Sequence, residues 1–119
     1  MATYKTSPFT TDLLTNLTRA DNIVAAGAAD ITGAAGAVHA IHIINGEASI
    51  RYMNLFDSRT VTAGSADIII PLDANANMTV FIDEGVAFGT AISISASTSR
   101  AGTGDPSNLD ANIMSHDLS

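Results

Sequence analysis

The chain has no cysteine and no tryptophan, few basic residues, and no apolar run long enough to cross a bilayer. Each absence excludes something. Without cysteine there is no disulfide framework and no thiolate metal site, so folding in a reducing cytosol needs no covalent staple. Five Lys and Arg stand against twelve Asp and Glu, for a formal charge of −7. The five cations, Lys5, Arg19, Arg51, Arg59 and Arg100, are scattered singly. A phosphate backbone finds no electrostatic footing on such a chain, so nucleic acid is not an expected partner. The same charge argues against anionic membrane surfaces. The N-terminus lacks the basic-then-apolar order of a secretory signal, and nothing approaches the roughly 20 apolar residues of a membrane span. The expectation is a soluble product made in the cytoplasm.

What is present is an aliphatic chain of one domain's length. Apolar residues make up 46% of 119, but only four Phe and two Tyr are aromatic, so Ile, Val, Leu and Ala must build the core. Short apolar segments recur with turn residues between them, which predicts a single antiparallel β-sandwich, jelly-roll or immunoglobulin-like, of about seven or eight strands. Residues 21–119 form that domain in this reading. Residues 1–20, rich in Thr, Ser and Asn, form an extended N-terminal arm. Phe9, Leu13, Leu14 and Leu17 sit there in a polar context too short to bury them alone, which fits an arm that orders against a neighbouring subunit.

Along the sandwich, residues 21–37 read as one or two short Ala/Gly-rich edge strands with turns at Gly27, Gly33 and Gly36. Val38 to Ile44 is a strand, and Asn45-Gly46 predicts a hairpin into a second strand, Ser49 to Asp57, because both residues tolerate φ > 0. Met53 and Leu55 then share one face, with Tyr52, Asn54 and Phe56 on the other. Ser65 to Leu72 is a strand that Pro71 confines to an edge. Asp73 to Asn77 is a turn, Met78 to Ile82 a strand, and Asp83-Glu84-Gly85 turns the chain again. Ala91 to Ser97 alternates, with Ile92, Ile94 and Ala96 inward and Ser93, Ser95 and Ser97 outward. Residues 99–111 form a loop, and Ile113-Met114 adds a last short strand before a polar tail. The predicted inter-sheet core is Ile41, Ile43, Met53, Leu55, Ile68, Ile70, Val80, Ile82, Ile92 and Ile94.

Candidate chemistry is sparse. His39 and His42 invite a metal, but on a regular strand a spacing of three sends their side chains to opposite faces, so only a bulge would let them chelate one ion. His42 is instead expected at an interface, as is Tyr52. Asp73, Asn75, Asn77 and Glu84 mimic a calcium loop, yet Met78 stands where its sharp turn needs Gly. Asp105, Asn108 and Asp110 are a weaker cation set. Gly102-Thr103-Gly104-Asp105 lacks the Lys-Ser/Thr of a phosphate loop. Asn16-Leu17-Thr18 and Asn77-Met78-Thr79 match the short glycosylation sequon. No acid, base and nucleophile converge, so the expectation is a non-enzyme with no metal and no cofactor.

Three segments carry a resemblance. Tyr52-Met53-Asn54-Leu55-Phe56-Asp57, then Ile69-Ile70-Pro71-Leu72, then Gly85-Val86-Ala87-Phe88-Gly89-Thr90-Ala91-Ile92-Ser93-Ile94 resemble a pattern common in small virion proteins of tailed bacteriophages. The likeness covers about residues 36–98. It implies a viral structural protein: a capsid decoration (cement) protein on the outer head surface, with the major capsid protein and further copies of itself, a trimer foremost, as partners. A neck, tail or fibre module for host attachment is the alternative. The lack of Trp and the two Tyr weigh against a sugar-binding platform. The Ala/Gly-rich approach and the polar C-terminal tail depart from the pattern.

Overall fold

A computed structural model describes residues 16–118. Seven strands form two antiparallel sheets: β1 (Asn16–Ala20), β2 (Gly36–Asn45), β3 (Arg51–Phe56), β4 (Ile68–Leu72), β5 (Asn77–Phe88), β6 (Ser93–Ser97) and β7 (Leu109–Asp117). The four-stranded sheet runs β1-β7-β2-β5 and the three-stranded sheet β4-β3-β6. Between them Val38, Ile41 and Ile43 of β2 and Ile113 of β7 pack with Met53 and Leu55 of β3 and with Ile92, Ile94 and Ala96. The result is an all-β sandwich with an aliphatic core, in which Phe88 is the aromatic member. Six of the ten expected core residues are fully buried. Ile68, Ile70 and Ile82 pack against the cluster half-buried, and Val80 is half-buried on β5.

The sandwich begins earlier than expected. Residues 16–20 are not arm but strand β1, paired along β7 from Asn16↔Ser115 to Ala20↔Ala111. The last strand is also longer than Ile113-Met114. Leu109, Ala111, Ile113 and Ser115 alternate inward along nine residues, but the small and polar members hide the period. Residues 21–35 hold an isolated bridge, Ala28↔Ile94, rather than edge strands. The Pro71 expectation holds: β4 is an edge strand.

Asn45-Gly46 does not close a hairpin. β2 and β3 lie in different sheets, and neither residue has a left-handed φ. Asn45 is instead a buried corner post. Its Nδ2 donates to the carbonyls of Ser49 (3.0 Å), Leu72 (3.3 Å) and Asp73 (3.0 Å), while its Oδ1 accepts from Glu47 N–H (3.0 Å). One side chain thereby ties the β2–β3 crossing to the β4–β5 crossing. Glu47 adds the β6–β7 connection. Its carboxylate accepts from the amides of Ser107 (2.7 Å) and Asn108 (3.0 Å) and pairs with Arg51 at 2.8 Å. Burial works against that charge, but these amides and the Arg51 guanidinium outweigh it and hold the carboxyl below its ordinary range.

Asp83-Glu84-Gly85 has turn geometry, with φ of 67° at Glu84 and 81° at Gly85, yet the chain does not reverse. β5 loops out and rejoins the same neighbour, pairing Phe81 with Ala40 before the loop and Val86 with Val38 after it. Ser93, Ser95 and Ser97 alternate with the core as expected but are fully buried rather than outward-exposed. The segment 24–31 covers the free edge of β6: Ala28 N–H donates to Ile94 C=O (2.8 Å) and Ala96 N–H to Val24 C=O (3.1 Å). Beneath that cover Asn54 Nδ2 donates to both Ser95 Oγ and Ser97 Oγ at 3.1 Å, and Ser93 Oγ accepts from Asp30 N–H at 2.9 Å. Hydrogen bonds make this polar layer tolerable.

Two stability outcomes follow. Ile94→Ala should cost about 2–5 kcal/mol through cavity formation, and a denaturant series giving less than about 1 would place Ile94 outside the core. Glu47→Gln should lose about 2 kcal/mol at neutral pH. Because the folded carboxyl titrates below its unfolded value, the wild-type advantage is present above that value and disappears as pH falls through the folded one. A pH-independent difference would contradict this.

Candidate functional site

The outer face of the four-stranded sheet is set by a single irregularity. β2 pairs Val38 with Ser115 and Ala40 with Met114, neighbours on β7, so His39 is an extra residue. A bulge of this kind flips side-chain parity. Val38, Ile41 and Ile43 all reach the core despite the odd spacing between the first two, while Ala40 takes the outer-face parity of Phe81 and Met114 yet is itself only 4% exposed. The register then lines up one residue per strand. Leu17 of β1 lies opposite Met114 of β7, Met114 opposite Ala40 of β2, and Ala40 opposite Phe81 of β5.

These four make a straight apolar row across the whole sheet. Its ends are the two most exposed large apolar side chains among the described residues, Leu17 at 73% and Phe81 at 78%. The adjacent row is polar and equally in register: Arg19, Asn112, His42, Thr79. Beside the apolar row, at the bulge, His39 Nε2 and His116 Nδ1 are 2.6 Å apart and the two rings are nearly end to end, with centroids 4.7 Å apart. One nitrogen must carry the shared proton while the other accepts it. The pair lines an open cleft of about 600 Å³ with Phe81, Ile82, Asp83 and Glu84. Gly85 is required there, because a Cβ would approach the His39 ring to 2.8 Å.

The residues expected at an interface divide. Leu17 and His42 share this face. Tyr52 is half-buried on the opposite sheet, across from Ser97 and Pro71. Phe9, Leu13 and Leu14 lie outside the described residues. The bulge invoked as the one escape for the two histidines does occur at His39, but the ring it brings close is His116. Phe81, Met114 and Ala40 went unnoticed. For Phe81 a signal existed, since inward Val80 and Ile82 leave a large aromatic facing out. Ala40 and Met114 needed the bulge and the β7 register.

The acidic residues considered as cation ligands serve the fold. Asp105 accepts from Ala25 N–H (3.1 Å), and Asp110 accepts from Asn22 N–H (2.8 Å). Asn75 takes a left-handed φ of 56° and donates its N–H to Glu47 C=O (2.9 Å). Among the described residues no three His, Cys, Asp or Glu are grouped to hold a metal ion, and no helix is long and apolar enough to cross a membrane. No protein-family model, curated protein or solved structure matches this chain.

Burial, and next the neighbouring His116, push the His39 imidazole below its ordinary value. The neutral form therefore contributes stability above the unfolded pKa of about 6.5, and that contribution is lost as pH falls through the folded one. NMR titration of His116→Ala should show the His39 midpoint moving upward. An unmoved midpoint would remove His116 as a cause.

Proposed function

We propose that this chain is a non-catalytic structural protein that works by adhesion, in concrete terms a capsid decoration protein of a tailed bacteriophage. It would bind the major capsid protein on the outer head surface and bridge capsomers. The observation that carries the adhesive part is the apolar row Leu17–Met114–Ala40–Phe81, in register across the four-stranded sheet with both ends open to solvent. A soluble domain keeps a large aromatic and a leucine so exposed at the ends of one aligned row for docking. The phage assignment rests on the resemblance over residues 36–98.

Stiffness supports the same reading. Asn45 and Glu47 bind the segments near 46–49, 73–76 and 107–108 into one rigid end of the sandwich, distinct from the sheet face. A body with two stiff surfaces can link neighbours in a shell. Individual contacts are weak, but many copies acting together oppose shell opening through multivalency.

Quantitative mass spectrometry of purified virions carrying the chain tests the assignment. On the order of hundreds of copies per head are expected for a decoration protein acting by multivalency. About a dozen or fewer would move it to the neck or tail, and absence from particles would reject the virion reading. The arm is tested by a truncation ending at residue 15, because removing 16–20 also removes β1 and bares the edge of β7. Loss of residues 1–15 should leave the sandwich folded and lower occupancy on undecorated heads. Equal occupancy would shift docking to the loops at 46–49, 73–77 and 99–111.

A further inference from the structure

We infer that the outer face of the four-stranded sheet is the interface between two copies of this chain, packed face to face about a two-fold axis parallel to the strands. The inference rests on reading this face as a docking surface and is independent of the phage assignment.

Size order within the row is the first reason. Across the sheet the side chains run Leu17, Met114, Ala40, Phe81, from one edge strand to the other. A two-fold axis along the strands reverses that order in the partner. Leu17 then meets the partner's Phe81, and Met114 meets the partner's Ala40. The long, adaptable Met114 thus packs over the lowest point of the row, where Ala40 is only 4% exposed, and the two exposed ends cover one another. An isologous contact demands this self-complementarity. A two-fold axis along the row would instead stack Met114 on Met114 and leave Ala40 facing Ala40, a clash beside a hole. A threefold arrangement, the trimer expected from the sequence, does not use the reversal.

Charge is the second reason. Each copy carries −7, so two copies approach only where that excess is absent. On this face Arg19 is held by Asp21 in an ion pair of 3.0 Å, with Asp110 a weaker second attraction, so the charged groups of the polar row and its edge are of mixed sign. His42 and the hydrogen-bonded His39 and His116 complete its titratable groups, with Asp83 and Glu84 in the loop at its β5 rim. The apolar row itself carries no charge, and the acidic groups Asp21, Asp83, Glu84 and Asp110 lie beside it rather than within it.

Area is the third. Four strands spaced by about 4.8 Å, over roughly nine residues rising about 3.3 Å each, present roughly 570 Å² per copy. Two such faces bury about 1,100 Å² together, which passes the roughly 1,000 Å² of a specific interface. Sheets stacked in this way lie about 10 Å apart with their inward rows interdigitated.

The test uses the purified full-length chain alone. Sedimentation equilibrium over a concentration series should give a dimer for the wild type and a monomer for Phe81→Asp and Leu17→Asp. Circular dichroism and a cooperative melt establish that these exposed-site variants fold, their melting point falling to that of the unassociated chain. Ile50→Asp, exposed but away from this face, should remain dimeric. Because the chain lacks cysteine, the orientation is tested separately. The double variant Leu17→Cys/Phe81→Cys should cross-link under mild oxidation, while each single variant should not. A monomeric wild type at high concentration, a trimer, a dimer that survives Phe81→Asp, or cross-linking by Leu17→Cys alone would overturn the inference. If the wild type is monomeric, the docking reading is judged apart: Phe81→Asp that still lowers occupancy on undecorated heads keeps the docking surface and removes only the second copy as its occupant.

Discussion

The extra residue at His39 decides which side chains of the four-stranded sheet meet the core and which meet solvent. β2 is the central strand of that sheet, paired on both sides, so a change of parity there is imposed on β7 and β5 alike. Without it Val38 and Ile41 would face opposite ways, and one fully buried apolar side chain would be turned to water. With it both enter the core, Ala40 takes the outer-face parity under its neighbours, and His39 is carried to within hydrogen-bonding distance of His116. β5 accommodates the same irregularity by looping out through Glu84 and Gly85, each with a left-handed backbone. Glu84 bears the conformational cost of a left-handed backbone there, and the gain in core burial offsets it. The make-up of the outer face is therefore a consequence of how the core is satisfied.

The corners of the sandwich follow a different logic. In a two-sheet fold the crossings between sheets leave backbone carbonyls that no strand partner reaches, and buried carbonyls need donors. Asn45 supplies an amide to three of them, and Glu47 takes up the amides of a third connection. These two residues convert separate loops into one stiff end. Stiffness at that end suits the adhesive role proposed above, because ordering flexible segments on contact subtracts from binding.

Most of the strand pattern was legible from period-two alternation. Met53, Leu55, Ile92 and Ile94 declare their faces in the sequence and occupy them in the fold. What escaped was whatever depends on a partner distant in the chain. Asn45-Gly46 carries a local hairpin signal, but the side-chain amide is claimed by residues 72 and 73, so the corner serves two crossings instead of one turn. Ser93, Ser95 and Ser97 look solvent-facing by composition, and distant segments hide them: residues 24–31 along the edge of β6, and the loops whose Ser58 and Ser99 carbonyls accept from Ser93 and Ser97. The bulge at His39 leaves no local mark, since β2 reads as one continuous apolar strand. Leu17 and His42, expected at an interface, lie on one sheet face. Their alignment with Met114 and Phe81 is a property of the sheet register, which no single segment encodes.

The account stands on one geometric statement, that the row across this sheet meets its own reverse in a second copy. Isotope-filtered NOE spectroscopy on a mixture of ¹³C-labelled and unlabelled chains reads that statement directly. Intermolecular cross-peaks are expected between the Met114 methyl and the Ala40 methyl, and between the Leu17 methyls and the Phe81 ring. Intermolecular peaks confined to the three-stranded sheet or the loops, or linking Met114 only to Met114, would contradict it.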